Sequence, residues 1–463
     1  MTTNTLPFDT LPLAAATLAN LRTLGFDTMT PVQAAALPVA LAGRDLIAQA
    51  RTGSGKTAAF ALPLLARLNA RWFSPQAVVL CPTRELADQV AKEVRRLARG
   101  TDNIKVLTLC GGSKIGPQVD SLAHGAHVVV GTPGRILDHL DRGSLDLRGV
   151  NTLALDEADR MLDMGFIDDI AAVARRCPAT RQTLLFSATF PEGIERLAAQ
   201  FMRQPERIAV DTQHAGHTIR QTFFDIEEAQ RLDAVVRLLR YHRPASALAF
   251  CNTRRRCREL SAVLADAGIA AVELSGDLEQ RDRDRALLRF AHRSVSVLVG
   301  TDVAARGLDI AGLDAVISVD LTPDPDVHVH RVGRTGRGDA EGQAWSLVAP
   351  FEKVRAGRIE AALGRPLAWA DIDALSPASD APLVPPMETL QILGGRKEKI
   401  RPGDVLGALT AYAGFAREQI GRIDVTDYLT YVAVDRNIAQ EAVLRLDGGM
   451  VKGRYVKVKR LEE

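Results

Sequence analysis

Short, nearly wholly apolar runs alternate with stretches whose apolar residues recur at helical spacing, and the alternation passes through the chain twice. In the first half the runs fall at 77–81, 127–130, 152–155 and 183–186. A run without a polar face has nothing to offer water, so it belongs inside a sheet covered on both sides. Between the runs, Leu86, Val90, Val94 and Leu97 lie on one helical stripe, as do Ala61, Leu64, Leu65 and Leu68. Strand then helix, repeated, predicts a doubly wound parallel α/β sheet. A second series has Leu232, Val235, Val236 and Leu239 on one stripe and runs at 247–250, 271–274, 295–299 and 315–319. Two tandem parallel-sheet domains, 1–210 and 219–366, are therefore expected. The polar stretch 211–218 between them has no apolar period and suits a hinge.

Past Ala370 the period dissolves into a Pro-rich segment, where Pro fixes extended backbone and removes donors, so 367–387 reads as an interdomain linker. Beyond it lie strand candidates at 389–393, 419–424, 429–434 and 455–458, with helices after Pro402 and after Asn437. The order β-α-β-β-α-β over 388–463 fits a small RRM-like α+β module. At 463 residues and 46% hydrophobic content the chain can fill this many cores.

Composition narrows the function classes. No apolar run nears the ~18 residues of a membrane span, and 1–9 lacks a basic region followed by an apolar one, so a soluble cytoplasmic protein without membrane contact is expected. Cys81, Cys110, Cys177, Cys251 and Cys257 form no CxxC pair, which predicts reduced, buried thiols and no structural metal. The net charge of +2 excludes a polybasic coat but not RNA, because backbone N–H groups and helix N-termini hold phosphates at no net charge.

The chemistry-bearing segments nearly all follow directly on a predicted strand, the edge at which open α/β sheets bind ligands. After Leu46-Ile47 comes Ala50-Arg-Thr-Gly-Ser-Gly-Lys-Thr57, a Gly-rich loop. Thr52, Gly53, Ser54 and Gly55 can cradle phosphate oxygens, Lys56 adds charge at the outer phosphates, and the Thr57 hydroxyl can ligate Mg2+. Ala50 stands where the usual pattern has its first glycine. After 152–155 come Asp156 and Glu157, the first placed to hold Mg2+ and the second to orient or deprotonate an attacking water. Further on, Arg334 and Arg337 of His330-Arg-Val-Gly-Arg-Thr-Gly-Arg337 can neutralise charge on the transferred phosphate, with Arg331 the weakest of the three arginines for that role. Since these arginines lie in the second half, full activity is expected only when the two halves close on ATP.

With these segments in this order, the chain over about 8–365 closely resembles the DEAD-box RNA helicases. The resemblance implies two RecA-like domains, and Phe8 with Gly25-Phe-Asp-Thr-Met-Thr-Pro-Val-Gln33 looks like the family's adenine-reading motif. It implies Phe26 against the base and Gln33 on its edge; Met29 stands where proline is usual. Gly307 and Asp309 would complete the nucleotide pocket, and Ser187 and Thr189 would couple nucleotide state to closure. The implied RNA path runs over Pro82, Thr83, Arg84, Gly111, Gly112, Thr132, Gly134 and Arg135, then Thr253, Arg254, Gly276, Gln280, Arg283 and Thr301. These are hydroxyls, arginines and loop N–H groups suited to holding a sugar-phosphate backbone without reading sequence.

The C-terminal stretch, with Ile392-Leu-Gly-Gly-Arg-Lys-Glu-Lys-Ile-Arg-Pro-Gly-Asp404, resembles the RNA-binding domain of the DbpA subgroup. That resemblance implies a hairpin of 23S rRNA and the pre-50S ribosomal particle as partners. From the residues alone, Tyr428 and Tyr431 flank one strand, but paired base-stacking aromatics are not evident. The basic residues Arg396, Lys397, Lys399, Lys452 and Arg454 can hold a structured hairpin instead, although lysines on exposed strands also block edge pairing. The expected protein is a monomeric, RNA-stimulated ATPase that separates short RNA duplexes near a tethered hairpin. Two other readings stay open: a DNA helicase of the same superfamily, and an RNA-clamping scaffold whose nucleotide site only sets affinity.

Overall fold

A computed structural model describes residues 6–461 apart from 51–52, 102, 190–191, 211–218, 306–311, 337–340 and 377–380. The chain forms two compact units, the described residues up to Val210 and those from Ile219 onward. The expected hinge at 211–218 lies outside the described residues.

The first unit holds strands β1 (Leu46–Gln49), β2 (Ala77–Leu80), β3 (Val106–Leu109), β4 (Val128–Gly131), β5 (Thr152–Leu155), β6 (Gln182–Ser187) and β7 (Glu206–Ala209). They pair in parallel in the order β3-β4-β2-β5-β6-β1-β7. The two-residue period of a strand divides the core: Ala77 and Val79 pack in one layer with Phe60, Val90 and Val94, while Val78 and Leu80 pack in the other with Ile136, Ile170 and Val173. Each fully buried Val, Leu or Ile contributes about 1.5–3 kcal/mol, which is why the central runs tolerate no polar face.

The second unit begins with β8 (Ile219–Asp225), β9 (Ala247–Cys251), β10 (Ala271–Leu274), β11 (Val297–Thr301), β12 (Ala315–Ser318), β13 (Gly342–Val348) and β14 (Trp369–Ala370). Their order, β10-β11-β9-β12-β13-β8-β14, is that of the first sheet with each strand replaced by the one seven places later. Again all pairings are parallel. The Pro-rich stretch read as a linker is packed for part of its length: Trp369–Ala370 extends the sheet, Ile372 and Leu383 are buried in its core, and Leu383 bridges to Ile269.

The same unit ends in a four-stranded antiparallel sheet of β15 (Met387–Leu393), β16 (Ile420–Val425), β17 (Leu429–Asp435) and, after the hairpin β18 (Met450–Val451) and β19 (Arg454–Tyr455), β20 (Val458–Arg460). The sheet order is β16-β17-β15-β20. The single strand expected at 455–458 is corrected: Arg454 and Tyr455 turn back on Met450 and Val451, and only Val458–Arg460 joins β15. One sheet face, with Leu390, Ile392, Ile420, Val432 and Val434, packs on helix Ala439–Leu446 and on the turn around Leu409. The other face meets the second parallel-sheet domain just past helix Gln280–Ala291. There Ser294 Oγ and Thr389 Oγ1 lie 2.6 Å apart, and His292 Nε2 and Asp424 Oδ2 2.9 Å apart.

Candidate nucleotide and RNA sites

Strand β1 ends under the Gly-rich loop, and helix Lys56–Ala66 starts directly after it. Gly55, the residue preceding the helix, has φ of 91°, and a Cβ there would lie 2.4 Å from Gln33 Nε2, so the loop is shaped by glycine at this point. Lys56 is 6% exposed, and its Nζ has no hydrogen-bond partner. Asp156, at the end of β5, is also buried, with Oδ1 unpartnered. Burial pushes its carboxyl up to about 6; the neighbouring Lys56 ammonium works against that shift and Glu157 adds to it. Two orphaned, buried and interacting polar groups of opposite sign are groups that can take a phosphate and a cation. Thr57 and Asp156 offer the hard oxygen donors that Mg2+ takes.

Glu157 sits in the left-handed region at φ of 54° and pairs with Arg160 Nη1 at 3.0 Å. Both are buried. The third acid, Asp159, ties the site to the end of β6. Its Oδ2 accepts from the Ala188 and Thr189 N–H groups at 3.1 and 3.0 Å and from the Thr189 hydroxyl at 3.2 Å. Ser187 Oγ accepts from the Asp159 N–H and donates to the Thr189 carbonyl. Asp156 and Glu157 thus lie three and two residues before the acid that holds Ser187 and Thr189. Asp159 and Arg160 were not singled out from sequence, where the acidic run gave a signal without partners.

Gln33 belongs to helix Pro31–Leu41, where Thr30 and Gln33 form a reciprocal cap: Gln33 Oε1 accepts from the Thr30 N–H at 2.9 Å. Its Nε2 donates to the Gly55 carbonyl at 3.1 Å, so the base-reading candidate is bonded to the phosphate loop. Phe26 is half-buried, edge-on to Phe8 at 6.2 Å and under the Arg96 guanidinium at 5.6 Å. Arg96 gave no sequence signal, because it arrives from the helix Arg84–Leu97. Met29, standing where proline is usual in the resembled motif, donates its N–H to the Leu6 carbonyl at 2.8 Å, a bond that proline could not make.

The first unit's RNA candidates follow β2, β3 and β4, three adjacent strands at one side of the sheet, away from β1 and β6. Thr83 caps its helix, accepting from the Leu86 N–H at 3.3 Å, with Pro82 and Arg84 on either side. Gly111 and Gly112 follow Cys110, and a Cβ on Gly111 would meet open space. Arg135, two residues after Pro133 and next to Gly134 in a helix begun at Thr132, donates two bonds to the Ser113 carbonyl, both at 3.2 Å. It thereby braces the Gly111–Gly112 turn against the Thr132 loop. In the second unit the corresponding ends of β9, β10 and β11 carry the rest. Thr253 caps helix Arg254–Asp266, Arg254 pairs with Asp277, and Gly276 lies against the Arg254 guanidinium. Gln280 bonds Asp284 at 2.8 Å, Arg283 bonds the Ala304 carbonyl at 2.6 Å, and Thr301 accepts from the Ala304 N–H.

Arg334 is buried on the turn after helix Pro325–Val332. Arg331 is a strut: 1% exposed, it holds Asp302 bidentately at 2.7 Å and also bonds the Asp320 carbonyl and Asn252. Thr52, Gly307, Asp309 and Arg337 lie outside the described residues. In the C-terminal module, the turn bearing Arg396, Lys397 and Lys399 and the hairpin bearing Lys452 and Arg454 come together. Lys452 Nζ donates to the Lys399 carbonyl at 2.6 Å and lies 3.4 Å from Asp404. Lys397 stands 6.0 Å over the exposed Tyr428 ring, and Tyr455 is exposed on β19. Among the described residues no group of acids, histidines and cysteines forms a metal cluster, and no helix is long and apolar enough to cross a membrane.

Three family models match the chain: the DEAD/DEAH box helicase over residues 30–197, the helicase conserved C-terminal domain over 230–339, and the DbpA RNA binding domain over 389–460. The ATP-dependent RNA helicase DbpA of Escherichia coli is 52% identical over 97% of this chain and 98% of its own length. The DEAD-box ATP-dependent RNA helicase CshA of Bacillus cereus is 44% identical over 80% of this chain and 71% of its own. Among solved structures, S. cerevisiae Dbp5 bound to RNA and ADP BeF3 is similar with a TM-score of 0.73 and 33% identity, covering 79% of this chain and 96% of that one. Mss116p bound to ssRNA and AMP-PNP is similar with a TM-score of 0.72 and 27% identity, covering 80% of each chain.

Proposed function

Because the chain belongs to the DEAD-box ATP-dependent RNA helicases of the DbpA type, and so is an RNA-stimulated ATPase with its own RNA-binding domain, we propose that it separates short RNA duplexes beside a tethered hairpin of 23S rRNA. The observation that carries the catalytic half is the pair of buried, unpartnered atoms, Lys56 Nζ and Asp156 Oδ1. Bound there, Mg2+ held by Thr57 and Asp156 supplies charge neutralisation at the phosphates. Lys56 and the loop from Thr52 to Gly55 bind the phosphates, while Phe26 and Gln33 hold the base. Glu157, paired with Arg160, positions and deprotonates the attacking water. Arg334 and Arg337, with Gly307 and Asp309, act from the second domain when both domains hold one RNA strand, and Ser187 and Thr189 link that closure to the site through Asp159.

The RNA path runs over Pro82, Thr83, Arg84, Gly111, Gly112, Thr132, Gly134 and Arg135 and over Thr253, Arg254, Gly276, Gln280, Arg283 and Thr301. Closure along it bends one strand of a short duplex and so costs the pairing beside it. Arg396, Lys397, Lys399, Lys452 and Arg454 form the basic surface that takes the hairpin, and the pre-50S particle in the cytoplasm is where a monomer of this kind would work. RNA-stimulated ATPase activity, measured with ribosomal fragments containing or lacking the hairpin, tests the targeting. Stimulation should be much stronger with the hairpin; equal stimulation by unrelated RNA would reduce the module to a general tether.

A further inference from the structure

A cavity of about 300 Å³ opens at the C-terminal edge of the second parallel sheet, lined by Asn252, Thr253, Arg255, Arg256, Phe351 and Arg355, with Asp320 and Glu352 at its base. Its place in the fold says what it is not. The two sheets share one strand order, so the ends of β8, β12 and β13 correspond to those of β1, β5 and β6, where Lys56, Asp156 and Ser187 surround the nucleotide site. At the second edge the cation in that neighbourhood is Arg231, and it is spent. It bonds Glu352 at 2.7 Å, Glu228 at 2.7 Å and the Val319 carbonyl, with its side chain 1% exposed. Glu352 in turn accepts from the Leu321 and Ala349 N–H groups at 2.9 and 3.0 Å, and Asp320 accepts from the Asn252 N–H at 2.8 Å. The floor is closed: among the described residues there, Arg231 and Arg256 are paired, unlike Lys56.

The rim is different. Phe351 is 64% exposed, and the Arg255 side chain is 86% exposed with one surface partner, Glu259 at 3.2 Å. Arg355, anchored on the Leu321 carbonyl at 2.9 Å and 3.6 Å from Glu352, still lines the opening. The base-side carboxylates are already matched by Arg231 and Arg256, so the outward charge is that of arginines beside an open aromatic ring. A phosphate and an adjoining base are the complement of that surface: guanidinium groups take the first and an exposed ring stacks the second. Thr253, which precedes Arg254 in the proposed backbone grip, is also a lining residue, so the cavity adjoins that grip.

We propose that this cavity is an additional RNA site, where the single strand leaving the Thr253–Arg254 grip places one phosphate between Arg255 and Arg355 and one base on Phe351. The assignment rests on the reading of Thr253 and Arg254 as part of the RNA path. It adds length to the strand held by the second domain and explains why an aromatic ring stands open at the edge of a folded sheet.

The test is binding of the full chain to unstructured single strands of ~6 and ~12 nucleotides, lengths within the range one single-strand-binding surface covers. Phe351→Ala should weaken the longer RNA by roughly five- to a hundredfold while leaving the shorter one unchanged, and Phe351→Trp should restore it. Arg255→Ala should lower the salt slope for the longer RNA by about one. Equal losses on both lengths, or no loss on either, would overturn the site; the second outcome would leave the surface to a protein partner. Arg254→Ala serves as the reference. If it weakens neither length, the RNA path itself is wrong, a failure separate from that of the cavity.

Discussion

Glu157 and His328 illustrate how far single residues can be read. Glu157 was legible as a candidate catalytic acid from its place after an apolar run, but neither its left-handed backbone nor its pairing with Arg160 was. Replacing it with Gln removes the base while keeping shape, so multiple-turnover hydrolysis should fall by about a hundredfold or more while nucleotide binding changes little. Equal turnover in a steady-state ATPase assay would remove Glu157 from the chemistry. His328 gave no signal in the sequence. It is buried against Phe223 with Nε2 on Gln221, and burial, aided by the Arg331 charge, lowers its pKa from the usual 6.5 to about 4. The folded state therefore refuses a proton that the unfolded chain accepts between these values, so stability falls on acidification through that window, by up to about 3 kcal/mol. Urea unfolding at pH 7.5 and 5 should reveal the loss, and His328→Gln should flatten it relative to the parent.

At the scale of elements, most central strands and the helices Lys56–Ala66, Arg84–Leu97 and Arg231–His242 were legible because each is apolar throughout or striped at one period. The edge strands β3, β7 and β14 and the inner strands β8 and β13 of the second sheet were not singled out: β7 alternates half-buried and exposed positions, β8 is fully buried only at Phe223 and Phe224, and β14 has two residues, both exposed. The C-terminal sheet is the more instructive case. The missing pair of stacking aromatics reads as an absence in sequence, whereas the fold gives that face another occupant. Thr389 and Asp424 meet Ser294 and His292, and Tyr431, whose hydroxyl burial pushes up in pKa, lies near Arg281 and Arg285. Burial works against ionisation of Asp424, yet hydrogen bonds from His292 and Arg422 hold its carboxyl well below the usual range. The double variant His292→Ala, Ser294→Val should release the module. Hydrogen exchange at Met387–Leu393 and Gln280–Ala291 should then rise while exchange in β17 under its helix stays slow. Unchanged exchange at both segments would mean the contact adds no stability.

At the scale of the molecule, the repeated strand order makes two edges of the same kind, one with an open cation and one with its cation spent. The first unit has its own two-layered core, so residues 1–210 should fold alone and bind nucleotide, but its RNA-stimulated turnover should drop by about a thousandfold or more without the arginines of the second domain. Turnover by that fragment as fast as the whole chain would end the two-domain proposal. Local hydrophobic period and turn chemistry were enough to read from sequence the repeating α/β architecture and the strand ends that carry the Gly-rich loop, the paired acids and the candidate RNA-path hydroxyls. Tertiary structure alone decided which charges are left open. Lys56 and Arg231 are both buried cations, and only the partners brought by distant strands separate a waiting site from a closed one, since burial makes an unpaired charge costly and a paired one silent.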